Sequence, residues 1–336
     1  MSEQVVLIGR GIAYSASPAM LGAAFAACGL DWHYSLCDVA AFDLPQVVAQ
    51  LRSGELRGAN VTQPHKAAVM PLLDEVSDDC VRVAAVNTVL RLPDGRLRGE
   101  TTDLPALGDE LDALLASATA RRPAQRDESR GSASSRGADP AQRAESRASA
   151  TSGGADPAQR DESRASASSR GADPAQRDES RRRGASRAAD PAQRDCPFSR
   201  AVILGRGGAA RTAAAVLADR GSQVVMVGRD DWAGLEAMLA AADLLVNATP
   251  IGTGGDDAPV PRMMLRPDLA VLDLVYRPSP TDLVAKAREA GAVARGGAGM
   301  LLGQAARSFT LWTGLEAPID AMRAALRAEL GAAADA

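Results

Sequence analysis

The chain has 336 residues, 46% hydrophobic but only 3% aromatic, which is length enough for two domains with cores built from Ala, Val, Leu and Ile. Its net charge of −4 hides an arginine-rich middle and an acidic remainder, a balance that argues against a nucleic-acid or membrane-surface binder. Four cysteines without a Cys-x-x-Cys pair (Cys28, Cys37, Cys80, Cys196) and two histidines (His33, His65) give no metal-ligand spacing, so we expect reduced thiols, no metal and a cytoplasmic protein.

Residues 4–8 are apolar and β-branched, and they read as a first strand with no basic-then-apolar leader before it. No apolar run approaches the ~20 residues of a membrane span. Tyr14-Ser15-Ala16-Ser17-Pro18 then opens an Ala-rich helix over 19–28, with Ser17 as its expected N-cap and Gly29 as its stop. Residues 32–37 read as a strand, 45–53 as a helix ended by Gly54, and 57–61 as a third strand. A helix is expected from Pro64 past Met70, and a short one near 77–82. Strand 85–91, the turn Pro93-Asp94-Gly95 and strand 96–100 form a hairpin. Thr102 or Asp103 opens a helix that fades near Ala120.

Residues 123–194 break this pattern. Pro-Ala-Gln-Arg recurs at 123, 140, 157, 174 and 191, a strict 17-residue period. A solenoid would need an apolar face in each repeat, and these repeats hold almost nothing larger than Ala. The expected state is a disordered, low-complexity insertion. An arginine-rich RNA tether is the functional alternative, but interspersed acids offset its charge.

Order resumes at Ala201-Val202-Ile203-Leu204, a strand followed by a glycine-rich turn and a helix to about Arg220. Strands at 223–227, 244–247 and 270–273 alternate with helices at 231–241 and 281–290. A short strand near 292–294 leads to Gly296-Gly297-Ala298-Gly299 and two final helices, 300–313 and 318–330. Strands alternating with helices imply a largely parallel, open sheet.

The chemistry concentrates in a few segments. Only two residues are lysines, Lys66 and Lys286, in a chain that otherwise uses Arg. A compact ammonium can give up a proton where a guanidinium cannot, so Lys66, at an expected strand-to-helix junction, is a candidate for proton transfer. Its alternative is a solvated surface lysine. Ser15 and Ser17 can aim two hydroxyls at one oxyanion. Asp103, at a helix N-terminus, can pair with Lys66 or serve as a cap. Gly205-x-Gly207-x-x-Ala210 lies between a strand and a helix, where a dinucleotide pyrophosphate binds. After the next strand comes Gly228-Arg229-Asp230-Asp231. A carboxylate there suits the ribose of NAD and an arginine suits the 2′-phosphate of NADP. Arg229 comes first, which favours NADP over NAD.

Taken in order, these segments resemble the shikimate dehydrogenase family. The resemblance rests on Ser15-Ala16-Ser17-Pro18, Asn60-Val61-Thr62-Gln63-Pro64-His65-Lys66, Ala85-Val86-Asn87-Thr88-Val89 and Gly99-Glu100-Thr101-Thr102-Asp103. In the second half it rests on Gly205–Arg211, Asn247-Ala248-Thr249-Pro250, Asp273-Leu274-Val275-Tyr276-Arg277-Pro278 and Gly297-Ala298-Gly299-Met300-Leu301 with Gln304. It covers nearly all of 4–325 except the repeats. It departs at Tyr14, Thr101, Leu104, Gly228, Asp230 and Thr253.

The resemblance implies a two-domain α/β fold: an N-terminal α/β substrate domain (1–120, completed by helices in 305–336), the repeat linker (121–198) and an NAD(P)-binding Rossmann domain (199–304). It implies reversible, NADP-dependent reduction of 3-dehydroshikimate to shikimate, with Lys66 and Asp103 catalytic. Ser15, Ser17 and Tyr276 would hold the substrate carboxylate, and Thr62, Asn87 and Gln304 its ring hydroxyls. Gly205, Arg206, Gly207, Gly208, Ala209, Arg229, Asn247, Thr249 and Gly297 would seat the cofactor. The expected partner is this small molecule alone, with no nucleic acid and no membrane, in a monomer or homodimer. The alternatives are an NAD-linked quinate/shikimate dehydrogenase or a paralogue with another cyclic hydroxy acid. A non-catalytic homologue carrying an arginine-rich tether is the remaining one.

Overall fold

The structure, a computed structural model, describes residues 2–121, 198–255 and 257–332. The expected disordered repeats at 121–198 and Cys196 therefore fall almost wholly outside the described residues. Two sheets organise the rest. The first is built from β1 (Glu3–Gly9), β2 (Trp32–Asp38), β3 (Gly58–Val61), β4 (Glu75–Val76), β5 (Thr88–Arg91) and β6 (Leu97–Glu100). Its order is β2-β1-β3-β5-β6-β4. β1 runs parallel to β2 and β3, whereas β5 is antiparallel to both β3 and β6. The second sheet is wholly parallel: β7 (Arg200–Leu204), β8 (Gln223–Val227), β9 (Leu244–Asn247), β10 (Ala270–Asp273) and β11 (Ala294–Arg295), in the order β11-β10-β9-β7-β8.

Helices cover both sheets. They are α1 (Ser17–Ala27), α2 (Leu44–Ser53), α3 (Asp78–Val83), α4 (Asp103–Arg121), α5 (Gly208–Asp219), α6 (Leu235–Ala240), α7 (Asp282–Glu289), α8 (Ala298–Thr313) and α9 (Ile319–Leu330). One face of the first sheet packs on α1, α8 and α9 through Val5, Met20, Phe25, Phe309, Trp312, Met322 and Leu326. Its other face packs on α2 through Ile8, Val47, Leu51 and Val61. The second sheet is sandwiched by α4 and α5 on one face and by α6 and α7 on the other. The last two helices thus return to the first lobe.

Three local expectations are corrected. Ser17 is not the N-cap of α1. Ala16 occupies that position without a side-chain cap, and it is the Ser15 hydroxyl that accepts the Ser17 amide at 3.3 Å. No helix starts at Pro64. Residues 63–69 are consecutive turns, and the Lys66 carbonyl among them accepts the Val86 N–H of the next segment at 2.9 Å. The single helix expected over 231–241 is a 3₁₀ segment at Arg229–Gly234 followed by the shorter α6. At Lys66 a long-range partner takes part, whereas at Ser17 the partner is the neighbouring Ser15.

The strand reversals place the site. In each sheet the first strand has neighbours whose crossovers leave in opposite directions, which opens a crevice at the strands' carboxyl ends. In the first sheet it lies between β1 and β3, and in the second between β7 and β9.

Trp312 anchors α8 across this lobe. Its Nε1 donates to Val89 O at 3.1 Å, and its ring covers Gly58, where a Cβ would stand 2.4 Å from Nε1. Gly58→Ala should lower the unfolding free energy by about 1–3 kcal/mol through overpacking. Gly22→Ala, inside α1 with open space around it, should raise it by about 0.5–1 kcal/mol. Urea unfolding of the two variants checks the pair.

Candidate active site

The end of β3 delivers Lys66 through the 63–69 turns. The start of α4 delivers Asp103. Lys66 Nζ donates to Asp103 Oδ2 at 2.5 Å, and both side chains are largely buried, 16% and 8% exposed. Asn87 precedes β5 and fixes the other carboxylate oxygen, with Nδ2 donating to Asp103 Oδ1 at 2.8 Å and to Thr102 Oγ1 at 2.9 Å. Its Oδ1 accepts the Thr102 amide at 2.7 Å. Gln304, on α8, reaches the same point and accepts from Asn87 Nδ2 at 3.5 Å. Asp103 is therefore an ion-pair partner, not a helix cap.

A second layer holds these groups. Asn60 Nδ2 donates to Asn87 O, Thr88 Oγ1 and Ser308 Oγ, at 3.1, 3.2 and 2.9 Å. Tyr34 Oη donates to Asn60 Oδ1 at 2.8 Å. Ser308 Oγ in turn donates to Gln304 O at 3.0 Å. Sequence reasoning singled out neither Ser308 nor Tyr34. Neither has a distinctive spacing, and only the return of α8 onto β3 brings Ser308 248 positions back to Asn60.

A cavity of about 380 Å³ opens over this cluster. Lys66, Asp103, Asn87 and Gln304 line it together with Ser15, Ser17, Thr62 and Tyr276. Burial pushes the Tyr276 phenol up to about 12, with the nearby Tyr14 adding to the rise and Ser15 opposing it. Tyr276 is thus a neutral hydrogen-bond donor across the physiological range. The Tyr14 and Tyr276 rings stand 6.1 Å apart at the mouth. Burial likewise raises the Tyr34 phenol well above its ordinary value, and Ser17 opposes that rise.

A second cavity, about 400 Å³, shares Gln63, Ala248, Thr249 and Pro250 with the first. Gly205, Arg206, Gly207 and Arg229 line it, while Ala209 and Gly297 line the first. The glycine loop fits a dinucleotide pyrophosphate on its own geometry. Gly205 has φ +109° and lies against the Ala248 carbonyl, where a Cβ would come within 3.0 Å. Gly207 is the N-cap of α5, so the helix N-terminus faces the cleft without a side-chain cap. Gly208 sits beneath Lys66, its Cβ position 3.6 Å from Lys66 Cδ.

Asn247 lies elsewhere. It is fully buried and lines neither cavity. Its amide donates to Asp273 Oδ1 at 2.8 Å and to Ile251 O at 3.1 Å, and its Oδ1 accepts from Thr249 N and Oγ1 at 3.1 and 2.7 Å. It shapes the 248–251 turn that both cavities share. Among the described residues no cluster of side chains could hold a metal ion, and no helix is long and apolar enough to cross a membrane.

Arg211 ties the two lobes. From the second turn of α5 its Nε donates to Val83 O at 2.8 Å and its Nη2 to Ala84 O at 3.0 Å. Those carbonyls immediately precede the Ala85-Val86-Asn87 segment.

A parallel sheet with a glycine loop at its reversal point, facing a polar cavity with a paired Lys and Asp, defines a two-lobed α/β dehydrogenase. Family models match residues 7–89 as a shikimate dehydrogenase substrate binding domain and residues 297–327 as a shikimate 5′-dehydrogenase C-terminal domain. The NADP(+) shikimate dehydrogenase of Moorella thermoacetica is 34% identical over 98% of this chain and 94% of its own. A crystal structure of the Thermus thermophilus shikimate 5-dehydrogenase with NADP(H) and shikimate is 28% identical, covers 98% of this chain and 100% of its own, and has a TM-score of 0.65. A quinate dehydrogenase from Corynebacterium glutamicum in complex with NAD is 25% identical over 97% of this chain and 99% of its own, also with a TM-score of 0.65. The chain belongs to the shikimate dehydrogenase family.

Asp273 gives the cofactor-side turn a pH dependence. It is fully buried, and it accepts from Asn247 Nδ2, Val275 N and Thr281 Oγ1 at 2.8, 3.1 and 2.7 Å. Burial outweighs these donors and raises its carboxyl from the ordinary 3.8 to about 6. The folded state then holds the proton more tightly than the unfolded chain. This contribution to stability is fully present below pH 3.8 and is lost as pH rises through about 6. The loss amounts to up to about 3 kcal/mol. Urea unfolding at a series of pH values should show a wild-type minus Asp273→Asn difference that falls over this window; a difference independent of pH would contradict it.

Proposed function

We propose that this protein is an NADP-linked shikimate dehydrogenase that interconverts 3-dehydroshikimate and shikimate. The observation that carries the reading is the Lys66–Asp103 pair at 2.5 Å. It sits in a cavity lined by hydroxyl and amide donors and continuous with the glycine-loop cavity. We assign substrate binding and catalysis to the first lobe completed by α8 and α9, and cofactor binding to the lobe of β7–β11.

Ser15 and Ser17 hold the substrate carboxylate, with the neutral Tyr276 phenol as a third donor. A phenol kept protonated by burial suits an anionic partner without adding a competing charge. Thr62, Asn87 and Gln304 fix the ring hydroxyls. NADP, held by Gly205, Arg206, Gly207, Gly208, Ala209, Thr249 and Gly297 with Arg229 at the 2′-phosphate, supplies or accepts the hydride when bound. Lys66 Nζ–H stands ready to donate to the oxygen that gains negative charge as the ketone is reduced, and takes the proton back in the reverse direction. Asp103 aims the ammonium, and Asn87 holds Asp103 through its other oxygen. Asn247 acts one step removed, by shaping the turn that carries Thr249. The chemistry requires only a small-molecule substrate and the dinucleotide.

An NAD-linked quinate/shikimate dehydrogenase is the second reading, favoured by Asp230 beside Arg229 and by the likeness to the NAD-bound quinate dehydrogenase. Initial rates with shikimate and quinate, each with NADP and NAD, separate the two; the first reading expects shikimate with NADP to be preferred. Lys66→Ala should lower kcat by about 10²–10⁴-fold while NADP binding is retained. Lys66→Arg keeps the charge but should be similarly poor, because a guanidinium does not release its proton at neutral pH. Turnover near the wild-type rate in either variant would sink the assignment of Lys66.

A further inference from the structure

Arg206 occupies the variable position of the glycine loop, yet its side chain does not stay with the loop. It crosses to the end of β8 and lies over Gly228. A Cβ built on Gly228 would meet Arg206 Nε at 3.0 Å, Cδ at 3.3 Å and Cζ at 3.4 Å. Arg206 Nη2 is paired with Asp231 Oδ2. That same oxygen accepts the Gly228 amide at 3.1 Å, which fixes the carboxylate to the backbone. Arg206 and Arg229 line one cavity, with Gly228, Asp230 and Asp231 between them.

The end of the second strand of a dinucleotide-binding sheet is where the adenosine ribose falls, and the residue there reads its 2′ position. Two arginines, Arg206 and Arg229, therefore line this point. Asp231 is engaged by Arg206 and by a backbone N–H, so it does not compete for the ribose hydroxyls. Arg206 Nη1 and Nε make no hydrogen bond among the described residues, and the side chain is 64% exposed. Gly228 has φ −84°, a conformation open to any residue. The glycine is needed for the space that Arg206 fills, not for the backbone.

The geometry points to Arg206 as a second 2′-phosphate ligand beside Arg229, positioned by Asp231 and by the absence of a side chain at 228. This rests on the NADP reading of the same site. A fixed guanidinium loses less freedom on binding than a free one, and an arginine–phosphate contact is charge-assisted. Arg206 thus selects a phosphorylated ribose over a plain diol. Arg229 alone would leave that choice to one exposed side chain next to the acidic Asp230.

The test is equilibrium binding to the full chain at fixed ionic strength, by calorimetry with 2′,5′-ADP and 5′-ADP and by fluorescence with NADPH and NADH. Arg206→Ala should weaken 2′,5′-ADP and NADPH by about tenfold or more, and 5′-ADP and NADH by less than about twofold. Gly228→Ala leaves charge and loop intact but displaces the guanidinium. It should weaken the 2′-phosphorylated ligands several-fold and have no further effect when combined with Arg206→Ala. Equal weakening of NADPH and NADH in Arg206→Ala would assign Arg206 to the pyrophosphate or to loop structure, and overturn the inference. So would unchanged NADPH binding, or a Gly228→Ala effect that persists without Arg206. Shikimate turnover by the wild type is read separately. Arg206-dependent 2′,5′-ADP binding without turnover removes the proposed reaction and leaves this inference, and normal turnover with Arg206-independent binding does the reverse.

Discussion

The site depends on one ion pair kept partly out of water. Lys66 and Asp103 meet at 2.5 Å with 16% and 8% of their side chains exposed. Removing one partner of such a pair leaves an uncompensated charge and costs about 3–5 kcal/mol, so neither residue is independent of the other. The pair is also geometrically determined. Val86 N–H holds the Lys66 carbonyl, and Asn87 Nδ2 holds the second oxygen of Asp103. Two consecutive residues of one segment therefore place both members of the pair, one through its backbone and the other through its side chain.

Holding that segment still is the work of both lobes. On one side, Asn60 donates to the Asn87 carbonyl and to Ser308, and so ties the segment to β3 and α8. On the other, Arg211 grips the carbonyls of Val83 and Ala84, just upstream. Ala84 has φ +49°, a left-handed conformation that is uncommon for a residue with a Cβ. It turns the chain from α3 into Ala85-Val86-Asn87. Arg211 belongs to α5, the helix that the glycine loop opens. The glycine-loop helix and the backbone just upstream of Asn87 are thus joined by one side chain.

The sequence made the strands legible because their apolar runs are short, several of them ending at a glycine, and almost every one stands within a few residues of its expected position. Lys66 stood out because lysine is so rare here, and the structure pairs it with Asp103. What did not show was direction. Ser17 looks like a cap, since Ser before Pro usually is one. Nothing local says that its hydroxyl is buried beside Tyr34 while Ser15 takes its amide. Pro64 looks like a helix start, and nothing local announces that the chain turns repeatedly instead, with the Lys66 carbonyl bonded to the distant Val86 amide. Ser308 carries no motif at all, being one serine on an amphipathic helix until that helix packs on β3. Asn247 shows the opposite error. A motif marked it as a cofactor contact, but its amide is spent on Asp273, Ile251 and Thr249.

The same logic explains how both cavities can be sound without a rigid block between them. Their shared wall, Ala248–Pro250, is not regular structure. It is a turn whose shape comes from Asn247, and Asn247 is held by the buried Asp273 carboxylate. Asp273 also accepts Val275 N–H and Thr281 Oγ1. It therefore fixes the segment leading to Tyr276 as well. One buried carboxylate thus holds both the turn between the cavities and the segment that leads to Tyr276, which lines the first cavity. A polar group left unpaired in such a place costs about 1–3 kcal/mol, and each of these donors depends on the same two oxygens. Burial makes the charge itself costly, so it is the pair of accepting oxygens, rather than the charge, that joins both halves of the cleft.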